Sequence, residues 1–297
     1  MGIVKQKNKA PAVKGQRRKL MKKLFTLLLS AILTAGCVFG LTACGDDAIY
    51  VDTNAFFAPF EYYDGTEIKG VDVDIMNQVG AKLNKKVVIE NTDFDVIIDN
   101  VASGKKYDCG AAGITITDAR KEKVDFSKPY FKSVQYVIYK TSDTELDGKA
   151  TTATDGTECI FWSELAGKKI GVQRDTTGDI YANLEIDGEE DYTGALQDTG
   201  ATVTGYDSAQ LAVDAIGANQ MDVVIVDQLP ANYICSKNQG YKCKALYYDA
   251  DTATEESYAI CVTKGNTELL NAINAVLDEL GEEGIKQLVS KHFGIAG

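Results

Sequence analysis

What most constrains the fold is an alternation of short apolar runs with amphipathic segments, and it occurs twice along the chain. Ile49–Thr53 reads as a strand, and beyond Asp72 the residues Ile75, Met76, Val79 and Leu83 recur at helical spacing as far as Asn84. A strand follows at Val87–Glu90. Phe94 then opens a helix with Ile97, Ile98 and Val101 inward and Gly104 as its stop. Residues 108–114 return to an apolar strand, so 49–114 reads β-α-β-α-β, the pattern of a parallel sheet with helices on its faces.

The pattern restarts with a strand at Lys169–Val172, a loop at 173–178 and a helix carrying Ile180, Tyr181 and Leu184. Strand 202–206 follows, then a helix capped by Asp207 or Ser208, bearing Leu211, Ala212, Ala215 and Ile216 and ending at Gly217. Val223–Val226 is apolar throughout, as expected of a central parallel strand buried on both faces. Two copies of one α/β unit imply two lobes. Between them, residues 141–158 are rich in Thr, Asp and Gly and read as an irregular insertion. A closing helix sets Leu270, Ile273, Leu277 and Leu280 on one face.

The first 43 residues do not belong to this pattern. Residues 1–23 hold nine Lys or Arg and no acid, and an apolar run extends from Leu24 to about Gly40. A basic segment followed by a short apolar one reads as a cleaved export signal, with Met21 a second candidate start. At about 17 residues the run is at the lower margin for a spanning helix. Without residues 1–43, 22 basic residues face 43 acidic ones, a net charge near −21. Nucleic acid is thereby excluded as a partner, because its binding needs clustered Lys and Arg. Some 254 residues remain, enough for one large core or for two lobes.

Beyond Cys44 lie Cys109, Cys159, Cys235, Cys243 and Cys261. An odd number is not a closed disulfide framework, although Cys235 and Cys243 are close enough in sequence to pair. With no Cys-x-x-Cys and a single histidine, His292, zinc is not expected, and no metal or cofactor is implied.

Open α/β sheets hold ligands in the loops after the carboxyl ends of their strands. Asn54, Thr115, Thr177 and Asp227 all fall at such ends. The stretch 108–131 breaks at Gly113, places Thr115 and Thr117 in a loop, and has Asp118 positioned to cap a short turn carrying Arg120. A guanidinium beside free hydroxyls suits a planar carboxylate, which it binds bidentately. Taken alone, Arg120 beside Lys121, Glu122 and Lys123 reads first as part of a solvated face, and the rest of the chain tips the balance. Phe56, Phe57 and Phe60 around Pro59 read as core plugs or as a stacking surface.

Six ordered motifs carry a resemblance: TNAFFAPFEY at 53–62, KGVDVDI at 69–75, GITITDARKEKVDFSKPY at 113–130, GKKIGVQRDTTG at 167–178, MDVVIVD at 221–227 and SKHFG at 290–294. With them the chain resembles the polar amino-acid solute-binding proteins of bacterial ABC importers, solute-binding family 3, across 49–297. Leu41-Thr42-Ala43-Cys44 likewise resembles a lipoprotein signal, which makes Cys44 the lipidated end; Cys37 is the poorer match. The resemblance implies an α/β, two-lobed fold of the type II periplasmic-binding-protein kind, each lobe a mostly parallel sheet flanked by helices. The hinge would be two strands near 131–135 and 255–259. Lobe one would comprise 49–132 and 257–297, lobe two 133–256, with 44–48 as the anchored linker.

It further implies that Arg120, with Thr115 and Thr177, grips a ligand α-carboxylate. Asp227, with the Gly113 carbonyl and Thr115, would take the α-ammonium. Phe57 and Phe94 would stack along the ligand side chain, and Asn54 and Gln173 would read its polar end. The implied role is delivery of a free amino acid to a membrane permease and its ATPase by a lipid-anchored monomer outside the cell. Three positions depart from the family pattern: Asn54 replaces a frequent Asp, Asp175 a frequent Gly, and His292 a frequent Trp. The first argues for a polar, uncharged ligand side chain, with a cationic one as the alternative. A ligand-sensing receptor and a small-acid dehydratase are the competing functions, the latter disfavoured because the cleft lacks a histidine.

Overall fold

The computed structural model describes residues 48–295. The leader, Met21, Cys37 and Cys44 lie outside the described residues.

Each half of the chain builds its own sheet. In the first, Ala48–Thr53 pairs in parallel with Lys86–Asn91 on one side and with Cys109–Gly110 on the other. Cys261–Thr263 then adds antiparallel to Cys109–Gly110, and Val124–Phe126 closes the edge. In the second, Lys169–Gln173 lies between Thr202–Tyr206 and Val223–Asp227, all parallel. Val223–Asp227 is buried throughout, as its composition requires.

Both sheets are mixed rather than mostly parallel. The long strand Phe131–Lys140 runs into the second sheet antiparallel to both Val223–Asp227 and Tyr241–Tyr247. The chain returns along Glu255–Tyr258, paired antiparallel with Phe131–Val134, and enters the first sheet against its direction. These two strands are the hinge, and the reversals follow from the chain crossing it twice. The insertion 141–158 is not wholly irregular either. A helical turn forms at Thr144–Asp147, and Glu158–Phe161 pairs in parallel with Ala245–Tyr247.

Helix Val71–Leu83 packs its Ile75, Met76 and Val79 face into the first core, against the C-terminal helical segment Thr267–Ile295. That segment is broken at Gly281, whose φ of 58° and ψ of −176° are not helical. His292 is buried, with Nδ1 3.2 Å from the Tyr62 hydroxyl and Nε2 2.8 Å from Asp74 Oδ2, so it ties the C-terminus to the first lobe. The five described cysteines are free thiols, Cys235 and Cys243 among them, and Cys243 Sγ donates to Asn232 Oδ1 at 3.3 Å.

Candidate functional site

The loop Thr53–Phe60 turns inward because its aromatics are core. Phe60 is fully buried and stands edge-on to Phe131 and Tyr258, each at 5.0 Å between ring centres. Phe57 packs on the same Tyr258 ring, while Phe56 points to solvent. Anchored in this way, the loop presents Asn54 to the cleft between the sheets. Asn54 Nδ2 donates to the Thr92 carbonyl at 2.7 Å, and Asn54 Oδ1 accepts from Gln173 Nε2 at 3.0 Å across the cleft. Gln173 Oε1 is buried without a hydrogen-bond partner, an acceptor awaiting a donor.

Gly113 follows the short strand Cys109–Gly110 and sits at φ +54°, where a side chain is strained. A Cβ there would also lie 2.9 Å from the Phe57 ring. Its N–H donates to Asp72 Oδ2 at 2.9 Å, and the Tyr130 hydroxyl donates to the other oxygen of that carboxylate at 2.6 Å. Burial pushes Asp72 up to about 6 despite these bonds. Glu61, fully buried beside it, is raised well above the usual carboxylate range by the same desolvation, to which the Asp72 charge adds.

Arg120 lies on the turn Asp118–Lys121. The cap is Thr117, whose hydroxyl accepts from the Arg120 N–H at 3.2 Å, and not Asp118. The guanidinium is buried against the Phe94 ring, 5.5 Å from its centre. Its Nη1 donates to the Thr115 carbonyl at 2.9 Å and its Nη2 to the Asp175 carbonyl at 2.6 Å, one from each lobe. Burial lowers its pKa, but a guanidinium remains charged at any ordinary pH. Asp175 occupies φ +57°, in the left-handed region that suits glycine; Asp is among the residues that tolerate it.

Thr177 opens the helix Thr177–Asp187, and its hydroxyl donates to Thr115 Oγ1 at 2.7 Å across the cleft. The Thr115 hydroxyl donates in turn to Glu256 Oε2 at 2.6 Å. Asp227 ends the strand Val223–Asp227 and is buried, accepting from Gln135 Nε2. The same nitrogen donates to Glu256 Oε1 at 2.7 Å. Burial first, and then the Glu256 charge, hold Asp227 well above the normal carboxylate range.

A cavity of only about 10 Å³ remains here, room for about one water, so the cleft is nearly shut on itself. Asn54, Phe57, Phe94, Gly113 and Thr115 line it from the first lobe, and Gln173, Thr177 and Asp227 from the second. Arg120 lies beside it, against Phe94 and Asp175, in an adjoining cleft. The sequence reading thus named residues that converge, but it missed Glu256, Gln135, Asp72 and Glu61, all buried around them.

Two α/β lobes on a two-strand hinge, with polar side chains from both converging on one cavity, define a protein that encloses a small solute. The family model for bacterial extracellular solute-binding proteins, family 3, matches residues 49–295, and the chain belongs to that family. An L-arginine-binding protein of Pseudomonas aeruginosa is 30% identical over 280 residues, covering 92% of this chain and 97% of that one. A probable histidine-binding protein of Neisseria gonorrhoeae is 28% identical over 275 residues, covering 91% and 92%. Among solved structures, an ancestral arginine-binding protein bound to arginine superposes with a TM-score of 0.67 at 30% identity, covering 84% of this chain and 99% of that one. The bilobal fold expected from the sequence is the fold observed.

Proposed function

We propose that this chain is the receptor of an amino-acid importer, closing its lobes on one free amino acid. The observation that carries it is the placing of opposite charges on either side of Thr115: a buried guanidinium in the adjoining cleft, bonded to the Thr115 carbonyl, and a buried acid, Asp227, lining the cavity that Thr115 also lines. A zwitterion has one anion and one cation, and burying either unpaired costs several kcal/mol. Arg120 takes the carboxylate, which replaces the Asp175 carbonyl on its fork; Asp227 takes the ammonium. Because they belong to different lobes, the ligand bridges the cleft and favours closure.

Phe57 and Phe94 flank the side chain, and Asn54 with Gln173 meets its far end. The unpartnered Gln173 Oε1 favours a side chain that donates hydrogen bonds there, as a neutral amide does. A cationic side chain is the second reading, favoured by the ligands named for the relatives. A lipid on Cys44, a permease and an ATPase as partners, and a monomeric working state complete the proposal. So does the division of the lobes, 49–132 with 257–297 against 133–256.

Thermal unfolding of the purified protein with each of the twenty amino acids and cystine tests it. A ligand that binds only the folded state raises the midpoint with its occupancy. A shift with one or two polar amino acids is expected; a shift with arginine alone selects the cationic reading. No shift with any of them overturns the proposal.

A further inference from the structure

At the floor of the cleft two carboxylates share one donor. Gln135 Nε2 donates to Asp227 and to Glu256 Oε1, and the Thr115 hydroxyl donates to Glu256 Oε2. Asp227, Glu256 and Gln135 are all buried. Among the described residues no Lys, Arg or His forms an ion pair with either acid, since the Arg120 nitrogens sit on the Thr115 and Asp175 carbonyls. Also facing the pair are the phenols of Tyr181 and Tyr258, the Glu61 carboxyl near Asp227, and the Arg120 guanidinium, and Glu256 lines an outer cleft with Lys132 and Glu255.

Two carboxylates held this close in a buried site do not both ionise, because their repulsion adds to the cost of desolvation. The grouping is built into the backbone. Asp227 and Gln135 are register partners on adjacent strands, and Glu256 stands opposite Ser133 on the same long strand.

We propose that Glu256 is a second acid of the ammonium subsite, and that it makes ligand capture an exchange of a cation for a proton. The pair holds one proton until the α-ammonium arrives. The carboxyl O–H then breaks, its proton passes to the buffer, and an ammonium N–H donates to the carboxylate left behind. The inference rests on the amino-acid reading above. Binding then weakens as pH falls, because protons compete for the subsite.

Calorimetric titrations of L-glutamine, L-arginine and L-histidine across pH, at each pH in two buffers of different ionisation enthalpy that both buffer there, test it, since the dependence of heat on buffer ionisation enthalpy counts protons released. Release is expected to approach about one proton per ligand toward the acid end and to fade as pH rises. In Glu256→Gln, which removes the repulsion and leaves burial as the remaining cause, release at a given pH is expected to fall. Equal heats in both buffers at every pH overturn the exchange, and undiminished release in Glu256→Gln overturns the role of Glu256. If that variant does not fold, the buffer series on the unaltered protein still decides the exchange. Absence of binding by any amino acid refutes the receptor reading instead.

Discussion

Asp227→Asn should make the ligand-free protein more stable while abolishing amino-acid binding. Asn keeps an oxygen for Gln135 Nε2 and offers an N–H to Glu256, so both existing hydrogen bonds persist. What disappears is a buried like charge. Two carboxylates bridged by one nitrogen lie roughly 4–5 Å apart, and at an effective dielectric near 20 their repulsion is about 3–4 kcal/mol. Proton sharing already relieves much of that, leaving about 1–2 kcal/mol to be gained near pH 8. For a chain of this size that is a midpoint rise of about 2–8 °C.

The sign follows from linkage. Asp227 has its folded pKa raised, so the folded state holds the proton more tightly than the unfolded chain does. Its unfavourable contribution is therefore absent below the unfolded value of about 3.9, grows as pH rises, and is complete above the folded pKa. The advantage of Asp227→Asn should accordingly vanish toward about pH 4. Scanning calorimetry of both proteins across pH checks this. A variant less stable than wild type at pH 8, or a gap that ignores pH, would refute the reasoning.

Arg120→Lys keeps the charge but loses the planar fork on Phe94, and should weaken amino-acid binding by about 100-fold by calorimetry with little change in melting. Asn54→Asp puts a carboxylate opposite Gln173 and should shift selectivity in a thermal screen toward arginine and lysine; unchanged selectivity would remove Asn54 from the side-chain subsite. Gly70→Ala places a Cβ 1.9 Å from the Phe60 carbonyl at φ +142°, where nothing can yield but backbone. It should cost about 3 kcal/mol or more in denaturant unfolding, because the loop carrying Asn54 is clamped there by Val71 and Asp72 N–H bonds to Pro59 and Phe60.

Much of this protein was legible in its sequence because the informative signals are local. Ile75, Met76 and Val79 recur at helical spacing, and Val223–Val226 is apolar on both faces, so the elements could be placed one by one. Strand direction is not local. Nothing within Cys261–Thr263 says that it runs against Cys109–Gly110, so the mixed sheets escaped. The insertion hid Glu158–Phe161 for the same reason, since its pairing partner lies some 86 residues on. Asn54, Thr115, Thr177 and Asp227 stood out because each falls at the carboxyl end of a strand or in the loop after it. Glu256 did not, being one acid of two in Thr254-Glu255-Glu256-Ser257-Tyr258. Its signal was alternation: Glu256 shares a face with the buried Tyr258, whereas Glu255 is exposed. Read against the hinge pairing, that period of two would have turned Glu256 inward.

The central claim is that one ligand answers Arg120 with its carboxylate and Asp227 with its ammonium. Calorimetry on the best-binding amino acid, its carboxamide and its N-acetyl derivative tests it most directly. Loss of about 100-fold or more in affinity for each blocked form is predicted, equivalent to about 2.7 kcal/mol per lost charge-assisted contact. Undiminished binding of either blocked form would contradict the account.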